Sequence, residues 1–284
     1  MMSKAKVAVV VDSTAYIPSD LVSQYNLHVI PQILNWEGES LKDEIDISAS
    51  EFYERLKTAK EMPTTSQPSA GEFYEFFSKV AETADSIVAV LISKPLSGTQ
   101  ASAHTAAEMM SDYPIEIVDS RSTAMGLGFM ALAAARAVEN GADYKQAAET
   151  ARALVPKMRL IFVVDTLEFL HRGGRIGGAK RLVGSMLSVK PVLHLHDGRI
   201  EPLASVRTKR KAIQHMLSVM EEGMQGKSNV HAAVIHALAA TDAGSVCDEV
   251  RQRLNPAELL MAEMSPVVGA HVGPGTVGIV YYGV

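Results

Sequence analysis

The sequence predicts an α/β protein made of two α/β domains. Residues 7–11 and 87–92 are continuous apolar runs rich in Val and Ile, which is typical of parallel strands buried on both faces. Segments with helical periodicity alternate with such runs, as expected when helices cross between parallel strands. Asp197-Gly198 separates two further strand-like runs and favours a tight antiparallel hairpin. We therefore expect a mostly parallel sheet in the N-terminal domain and a mixed sheet with a hairpin in the C-terminal domain.

The first half of the chain supplies the elements of the N-terminal domain. Ser48-Ala49-Ser50-Glu51 and Ser69-Ala70-Gly71-Glu72 are capping boxes, so each should begin a helix. A short helix should begin at Pro18. Gly141 should end the helix expected at residues 124–139. The remaining predicted elements of this half are strands at 7–11, 27–34, 87–92 and 115–118 and helices at 98–110, 124–139 and 143–154.

The second half should form the C-terminal domain, and Pro156 marks the break between the two. We place the N-terminal domain at residues 1–156 and the C-terminal domain at residues 157–284. The predicted elements here are strands at 160–164, 189–196, 199–206, 230–237, 259–264 and 276–282, a helical turn at 166–170, and helices at 208–220 and 243–254.

Composition restricts the possible functions. The chain has 284 residues and a formal net charge of -5, which disfavours a nucleic-acid-binding protein. Cys247 is the single cysteine, so disulfides within the chain and zinc sites built on cysteine pairs are excluded. The apolar run at 7–11 is too short for a signal peptide, and that at 122–135 is too short to span a bilayer. We expect a cytoplasmic protein.

Several motif matches lack the context that their chemistry requires. Residues 273–278 fit the dinucleotide pattern, but a strand rather than a helix follows them. Residues 223–228 resemble a phosphate-binding loop, but Glu221 replaces its first glycine. No Gly-x-Ser-x-Gly elbow is present. His194 and His196 share a strand face without a nearby third ligand, so we expect no metal site and no cofactor.

Two polar loops suggest a small anion site. Residues 63–69 form a hydroxyl-rich loop, and Ser97-Gly98-Thr99 opens a helix after the strand at 87–92. This is the carboxyl end of a sheet strand, where open α/β sheets bind ligands, and a helix N-terminus there favours a carboxylate or phosphate. Plain N-capping by Ser69 and Ser97 is the alternative, although it leaves the other hydroxyls of the first loop unexplained. The residues alone do not decide between the two.

Two basic clusters interrupt the acidic chain. One contains His171, Arg172, Arg175, Lys180 and Arg181, and the other spans residues 207–211. They fit either ordinary solvated surface or one face that docks an acidic partner, anionic lipid or phosphate. Both interpretations remain open at this point.

The chain resembles the DegV family, whose best-understood members are the fatty-acid-binding B subunits of bacterial fatty acid kinase. The resemblance rests on seven short segments that follow one another in the family's order. They are Val10-Val11-Asp12-Ser13-Thr14, Thr65-Ser66-Gln67-Pro68-Ser69, Leu96-Ser97-Gly98-Thr99, Val118-Asp119-Ser120, residues 166–170 with Arg172-Gly173-Gly174-Arg175-Ile176, Lys190-Pro191-Val192-Leu193, and Gly269-Ala270-His271-Val272-Gly273-Pro274-Gly275.

The resemblance implies that a long-chain fatty acid such as hexadecanoate lies between the two domains. It implies that Thr65 and Ser97 bind the carboxylate with His271 nearby, and we add Ser66, Gly98 and Thr99 as neighbouring donors. It also implies that Arg172 and Arg207, with Arg175 beside them, engage the kinase catalytic subunit or make transient contact with a membrane surface. Asp12 and Ser13 match the family's first motif and receive no role beyond shaping the site.

The function implied by the resemblance is that of a carrier without catalytic residues of its own. It would present the fatty acid to a separate ATP-dependent kinase, and the absence of an intact nucleotide motif agrees with that. The alternative is a hydrolase or acyl transferase that uses Ser97 and His271, although no acidic third member is identifiable.

Overall fold

The computed structural model of the protein describes residues 4–185 and 189–284, and it contains three β-sheets flanked by helices. The strands are β1 (Ala8–Asp12), β2 (His28–Ile30), β3 (Ile33–Trp36), β4 (Glu39–Lys42), β5 (Thr64–Ser66), β6 (Ile87–Leu91), β7 (Ile115–Asp119), β8 (Arg159–Val163), β9 (Lys190–His196), β10 (Arg199–Val206), β11 (His231–His236), β12 (Glu258–Glu263) and β13 (Val277–Tyr282). The helices are α1 (Ser19–Gln24), α2 (Ala49–Leu56), α3 (Ala70–Ala81), α4 (Thr99–Met109), α5 (Met125–Glu139), α6 (Tyr144–Leu154), α7 (Glu168–Arg172), α8 (Lys209–Met224), α9 (Ala240–Leu254) and α10 (Pro266–Val272).

The first sheet is parallel and has the strand order β2-β1-β6-β7. Every residue of β1 and β6 is buried, as their continuous apolar runs predict. Successive side chains of a strand point to opposite faces of the sheet. Val9 and Val88 therefore pack with α5, while Val10 and Ile87 pack with Phe73 of α3. The predicted capping boxes are confirmed. The side chain of Ser48 accepts a hydrogen bond from the backbone N–H of Glu51 at the start of α2, and that of Ser69 accepts one from the N–H of Glu72 at the start of α3.

The second sheet has six strands in the order β10-β9-β8-β13-β11-β12. Its strand pairs are antiparallel except β11 with β12. The predicted hairpin joins β9 to β10, and both turn residues have positive φ, 48° at Asp197 and 75° at Gly198. That is the backbone of a tight type I′ turn, which explains why an Asp-Gly pair occurs there.

A third sheet, with the order β4-β3-β5, corrects one prediction. The single strand expected at 27–34 is two strands, since β2 joins the parallel sheet and β3 joins this small antiparallel one. The chain leaves the first sheet at Pro31, which has no N–H to donate, and the N–H of Gln32 donates to Ser13 Oγ instead. The predicted hydroxyl-rich loop also contains a strand, β5, which pairs with β3.

The two larger sheets draw on different parts of the chain, residues 8–119 and residues 159–282. They meet through shared packing, where Phe129 of α5 lies edge-on to Tyr282 of β13 at 5.6 Å. Arg136 and Glu258 form an ion pair across the same contact. The division into domains at residue 156 remains a prediction. Within the described ranges, the chain has no helix long and apolar enough to cross a membrane.

Candidate functional site

A pocket opens at the carboxyl edge of the parallel sheet and continues against the six-stranded sheet. The empty space between its walls, including open solvent at the mouth, is about 830 Å³. Its polar lining residues are Thr14, Gln32, Thr65, Ser66, Gln67, Ser97, Thr123, Arg175 and His271. The rest of the lining is apolar: Ile92, Leu96, Ala124, Leu160, Phe162, Leu170, Leu195, Ile200, Ile235, Met264, Val267, Val268 and Val272.

The topology explains why short polar loops gather at this pocket. The parallel strands β1, β6 and β7 end at the same edge of the sheet, so the segments after them are neighbours. Thr14 follows β1, Ser97 follows β6, and Thr123 follows β7. Each of these residues therefore reaches the pocket from a different crossover connection.

Thr65 and His271 form the closest polar pair in the pocket lining. Thr65 lies on β5 opposite Leu34, and His271 lies near the end of α10. The Oγ1 of Thr65 is 2.7 Å from the Nε2 of His271, so the two side chains share a hydrogen bond. Burial, together with the nearby Arg175 guanidinium, lowers the pKa of His271 to about 4. The imidazole is therefore neutral at physiological pH.

The other ring nitrogen of His271 faces the backbone of Gly173. This Nδ1 is buried and has no hydrogen-bond partner in the described part of the chain. A Cβ at position 173 would lie 2.1 Å from it, so only glycine fits beside the ring. The Arg172-Gly173-Gly174 segment thus places its backbone close against the imidazole.

Ser97 belongs to a second hydroxyl group at the start of α4. Its Oγ lies 2.8 Å from Thr99 Oγ1, and Gln32 Nε2 donates to Thr99 Oγ1 at 2.9 Å. The N-cap residue of α4 is Gly98, which has no side chain to cap with, and the N–H of Thr99 donates to Ser97 Oγ at 3.3 Å. The expected N-cap at Ser97 is therefore wrong by one residue, although Ser97 still accepts one N–H of the first turn. Ser97 also lines the pocket, and its role towards an anion stays a prediction.

The residues expected to surround a carboxylate fall into two groups. Thr65, Ser66, Ser97 and His271 line the pocket. Gly98 and Thr99 are not part of the lining; Thr99 is fully buried and its side chain bonds that of Ser97. Their head-group role stays a prediction.

The sequence did not indicate three polar pocket residues. Gln32 follows β2, and its amide reaches the Ser97–Thr99 pair. Thr123 follows β7, and its Oγ1 is buried without a hydrogen-bond partner in the described structure. Arg175 was expected at a docking surface, but its guanidinium lines the pocket and donates to the carbonyls of Leu96 and Gly173. The position of Thr123 after a parallel strand was the available signal for that residue.

Asp12 stabilises the sheet edge below the pocket. Its Oδ1 accepts from the N–H and hydroxyl of Thr14, and its Oδ2 accepts the N–H of Ile92 at 2.7 Å. Complete burial raises the pKa of Asp12, and these hydrogen bonds partly offset the rise. Asp12 thereby ties the end of β1 to the segment that leads to Ser97.

The two other predicted docking residues lie on the surface. Arg172 is exposed and pairs with Glu168 at 2.6 Å on the same helix. Arg207 is also exposed, between β10 and α8. Nothing in the fold conflicts with a docking role for either residue, which remains a prediction.

The arrangement gives little support to the hydrolase alternative. A serine nucleophile needs a base within hydrogen-bond reach, and that base needs an orienting partner. His271 pairs with Thr65, Ser97 pairs with Thr99, and no partner orients His271 Nδ1 among the described residues. What the pocket offers is a set of neutral hydrogen-bonding groups and one guanidinium beside a larger set of apolar side chains. In the described ranges, no three His, Cys, Asp or Glu side chains gather to hold a metal ion.

Comparison with known proteins agrees with this architecture. The family profile of the DegV family matches residues 6–284. A DegV domain-containing protein of Clostridium perfringens is 37% identical over 279 residues, which is 97% of this chain and 98% of that protein.

Two solved structures share the fold over nearly the full length. A DegV family protein of Thermus thermophilus, described for its fatty acid binding, has a TM-score of 0.93 and 33% identity, and covers 98% of this chain and 100% of its own. DegV of Bacillus subtilis, described as a fatty acid binding protein, has a TM-score of 0.90 and 33% identity. The match covers 99% of this chain and 100% of the Bacillus subtilis chain. The chain belongs to the DegV family.

Proposed function

We propose that this protein binds a long-chain fatty acid such as hexadecanoate, with the hydrocarbon tail in the apolar part of the pocket. The observation that carries the proposal is the combination of a mostly apolar pocket lining with hydroxyl groups at the carboxyl edge of the parallel sheet. The Thermus thermophilus and Bacillus subtilis relatives, described as binding fatty acids, support it.

The energetics favour a long apolar ligand. Burying the tail of a C16 chain removes roughly 15 carbons from water at ~0.8 kcal/mol each, about 12 kcal/mol before costs. Association and ordering oppose this by several kcal/mol, which still leaves tight binding. The polar groups therefore need only orient the carboxylate.

Thr65, Ser97 and His271 are the groups that we assign to the carboxylate, with Ser66 beside them. Thr65 and His271 already share one hydrogen bond, so with the Nε2–H of the neutral imidazole donating to Thr65 Oγ1, the Thr65 hydroxyl is the donor that this pair offers to a carboxylate oxygen. The hydroxyl of Ser97 can donate a second hydrogen bond. The partly buried Arg175 adds a positive charge near the same place. These contacts favour the acid over an uncharged lipid of the same length.

We further propose that the protein is a carrier rather than an enzyme, acts in the cytoplasm, needs no cofactor, and delivers its fatty acid to a separate kinase. The absence of an intact nucleotide-binding motif from the sequence supports a division of labour. Arg172 and Arg207 are exposed and so available to an acidic partner surface or an anionic membrane.

Two titrations test the binding proposal and one reconstitution tests the carrier proposal. Isothermal titration of delipidated protein with hexadecanoate and with 1-hexadecanol should give one site and tighter binding of the acid. Absence of binding for both would refute the lipid assignment. With ATP and the catalytic subunit of a bacterial fatty acid kinase, the protein should support acyl phosphate formation. Changing both Arg172 and Arg207 to Glu should reduce that rate, whereas Arg251→Glu on α9 should not.

A further inference from the structure

Asp43, in the turn after β4, contacts both sides of the candidate site. The residue is 1% exposed. Its Oδ2 accepts the hydroxyl of Ser13 at 2.5 Å, and its Oδ1 accepts the backbone N–H of Val267 at 3.1 Å. Its sequence context indicates no role, and it does not line the pocket. Any influence of Asp43 on the site therefore passes through the two groups that donate hydrogen bonds to it.

The first of these groups is the start of α10, the helix that bears His271. The N-cap residue Ser265 makes no side-chain capping hydrogen bond. The acceptor for the Val267 N–H comes instead from Asp43, 224 residues earlier in the chain. Val267 and His271 are one helical turn apart and both line the pocket, so Asp43 fixes the position of this wall.

The second group leads to Ser97. Ser13 donates to Asp43 and accepts the backbone N–H of Gln32 at 3.0 Å. The side chain of Gln32 then donates to Thr99, which pairs with Ser97. A continuous series of hydrogen bonds thus runs from the helix of His271, through Asp43, to the hydroxyl of Ser97.

We propose that Asp43 is a positioning residue that sets the spacing between His271 and Ser97 and so the preference of the pocket for a carboxylate head group. The inference rests on the proposed fatty acid function and adds the residue that holds its two polar walls together. Asp43 cannot be replaced by a neutral amide without loss, because an Asn side chain offers one accepting oxygen where two donors converge.

The titratable groups that influence Asp43 or its neighbours are Asp12, Tyr16, Glu44, Tyr53 and Glu263, and none of these five is basic. Burial raises the pKa of Asp43 to about 6, partly offset by the hydrogen bonds from Ser13 and Val267. The carboxylate form, which can accept both bonds, prevails at neutral pH.

The test is the ratio of the affinities for hexadecanoate and 1-hexadecanol, measured by titration at pH 7.5. A general loss of stability would lower the affinities for both ligands equally, whereas a misplaced head-group site lowers only the affinity for the acid. We expect Asp43→Asn to lower the ratio about fivefold or more, the equivalent of one lost hydrogen bond. Ser13→Ala removes one link of the series and should lower the ratio in the same direction.

Asp46→Asn is the matched control, because Asp46 is an exposed carboxylate in the same turn. The affinity ratio of this variant should equal that of the wild type. An unchanged ratio in a folded Asp43→Asn protein would overturn the inference while leaving the fatty acid function intact. If Asp43→Asn does not fold, Ser13→Ala decides in the same way. A wild-type protein that binds neither ligand would overturn the proposed function and this inference together.

Discussion

The hydroxyl of Thr65 lies 2.7 Å from the Nε2 of His271, although 206 residues separate the two in sequence. One residue comes from a three-residue strand of the small sheet, and the other comes from the helix before the last strand. The contact between these two polar groups therefore forms only when an early and a late segment of the chain pack together. This explains why the hydroxyl-rich loop at 63–69 suggests an anion site but does not indicate that His271 lies beside it.

Loss of the Thr65 hydroxyl should weaken binding of the acid. Thr65→Val keeps the side-chain shape but leaves His271 without its partner, and it removes one donor to the carboxylate. We expect the affinity for hexadecanoate to fall about 5- to 30-fold, equivalent to about 1–2 kcal/mol. Isothermal titration measures it. Thr64→Val, at the exposed neighbouring position on β5, should bind as the wild type does.

The low pKa of His271 should make the protein less stable in mild acid. Its folded pKa of about 4 lies below the unfolded value of 6.5, so the unfolded state binds the proton more readily. Stability from this residue is therefore complete above pH 6.5 and is lost as the pH falls towards 4, by about 3 kcal/mol in all. Asp43, with a raised pKa, acts in the opposite direction over nearly the same range.

A variant separates the two opposing effects. His271→Gln removes the imidazole titration but leaves Asp43 in place, so the difference in unfolding free energy between wild type and variant isolates the histidine. Urea denaturation at pH 7.5 and at pH 4.5 should show the wild type losing more stability than His271→Gln. Equal losses would contradict the low pKa. A bound carboxylate should raise the pKa of His271, which NMR titration with and without hexadecanoate measures.

The buried carboxylate of Asp12 should be important for stability. In the wild type, the Asp12 carboxylate accepts hydrogen bonds from two backbone N–H groups and one hydroxyl. In Asp12→Asn, the amide N–H₂ replaces one of the accepting oxygens and faces such donors. At least one buried donor then lacks an acceptor, and we expect a loss of about 2–4 kcal/mol in unfolding free energy. Chemical denaturation measures it. Asp20→Asn, an exposed position on α1, should change the unfolding free energy by less than ~0.5 kcal/mol.

The ion pair between Arg136 and Glu258 joins α5 to the edge of the six-stranded sheet. Two guanidinium nitrogens donate to the carboxylate, at 3.2 and 2.8 Å, and His231 bonds the same carboxylate. Burial raises the pKa of Glu258, but the bonds from His231 and Arg136 outweigh it and lower the pKa to about 2. The stabilising contribution is thus complete above pH 4.5 and is lost as the pH falls through 2.

Arg136→Met should therefore lower the unfolding free energy at pH 7 by about 1–2 kcal/mol, since the pair is only partly exposed. The comparison variant is Arg251→Met, which breaks an exposed pair with Asp248 on α9 and should cost less than ~0.5 kcal/mol. Similar losses for the two variants in urea denaturation would contradict this prediction, because the ion pair between α5 and β12 would then stabilise the fold no more than an exposed surface pair does.

Local patterns predicted the elements whose signals are local. Continuous apolar runs predicted β1 and β6, capping boxes predicted α2 and α3, and Asp197-Gly198 predicted the hairpin. The single strand expected at 27–34 was wrong, because periodicity does not show which sheet each half joins. Helix α10 was missed despite Ser265-Pro266, a serine N-cap followed by proline at the first helical position.

The candidate site depended on a different kind of information. Thr65, Ser97 and His271 were assigned by resemblance to a family, and the structure brings all three to one pocket. Gln32, Thr123 and Asp43 were not found, because their importance comes from hydrogen bonds or burial created by tertiary packing. Arg175 belongs to one of the two basic clusters in sequence, yet it lines the pocket.

Native mass spectrometry of the purified protein, followed by solvent extraction and identification of the lipid, tests the central claim most directly. The predicted result is a stoichiometric added mass that matches a long-chain fatty acid, restored by hexadecanoate after delipidation. The added mass should be lost more readily from Thr65→Val than from the wild type. A protein that is purified empty and takes up no added fatty acid would contradict the fatty acid function.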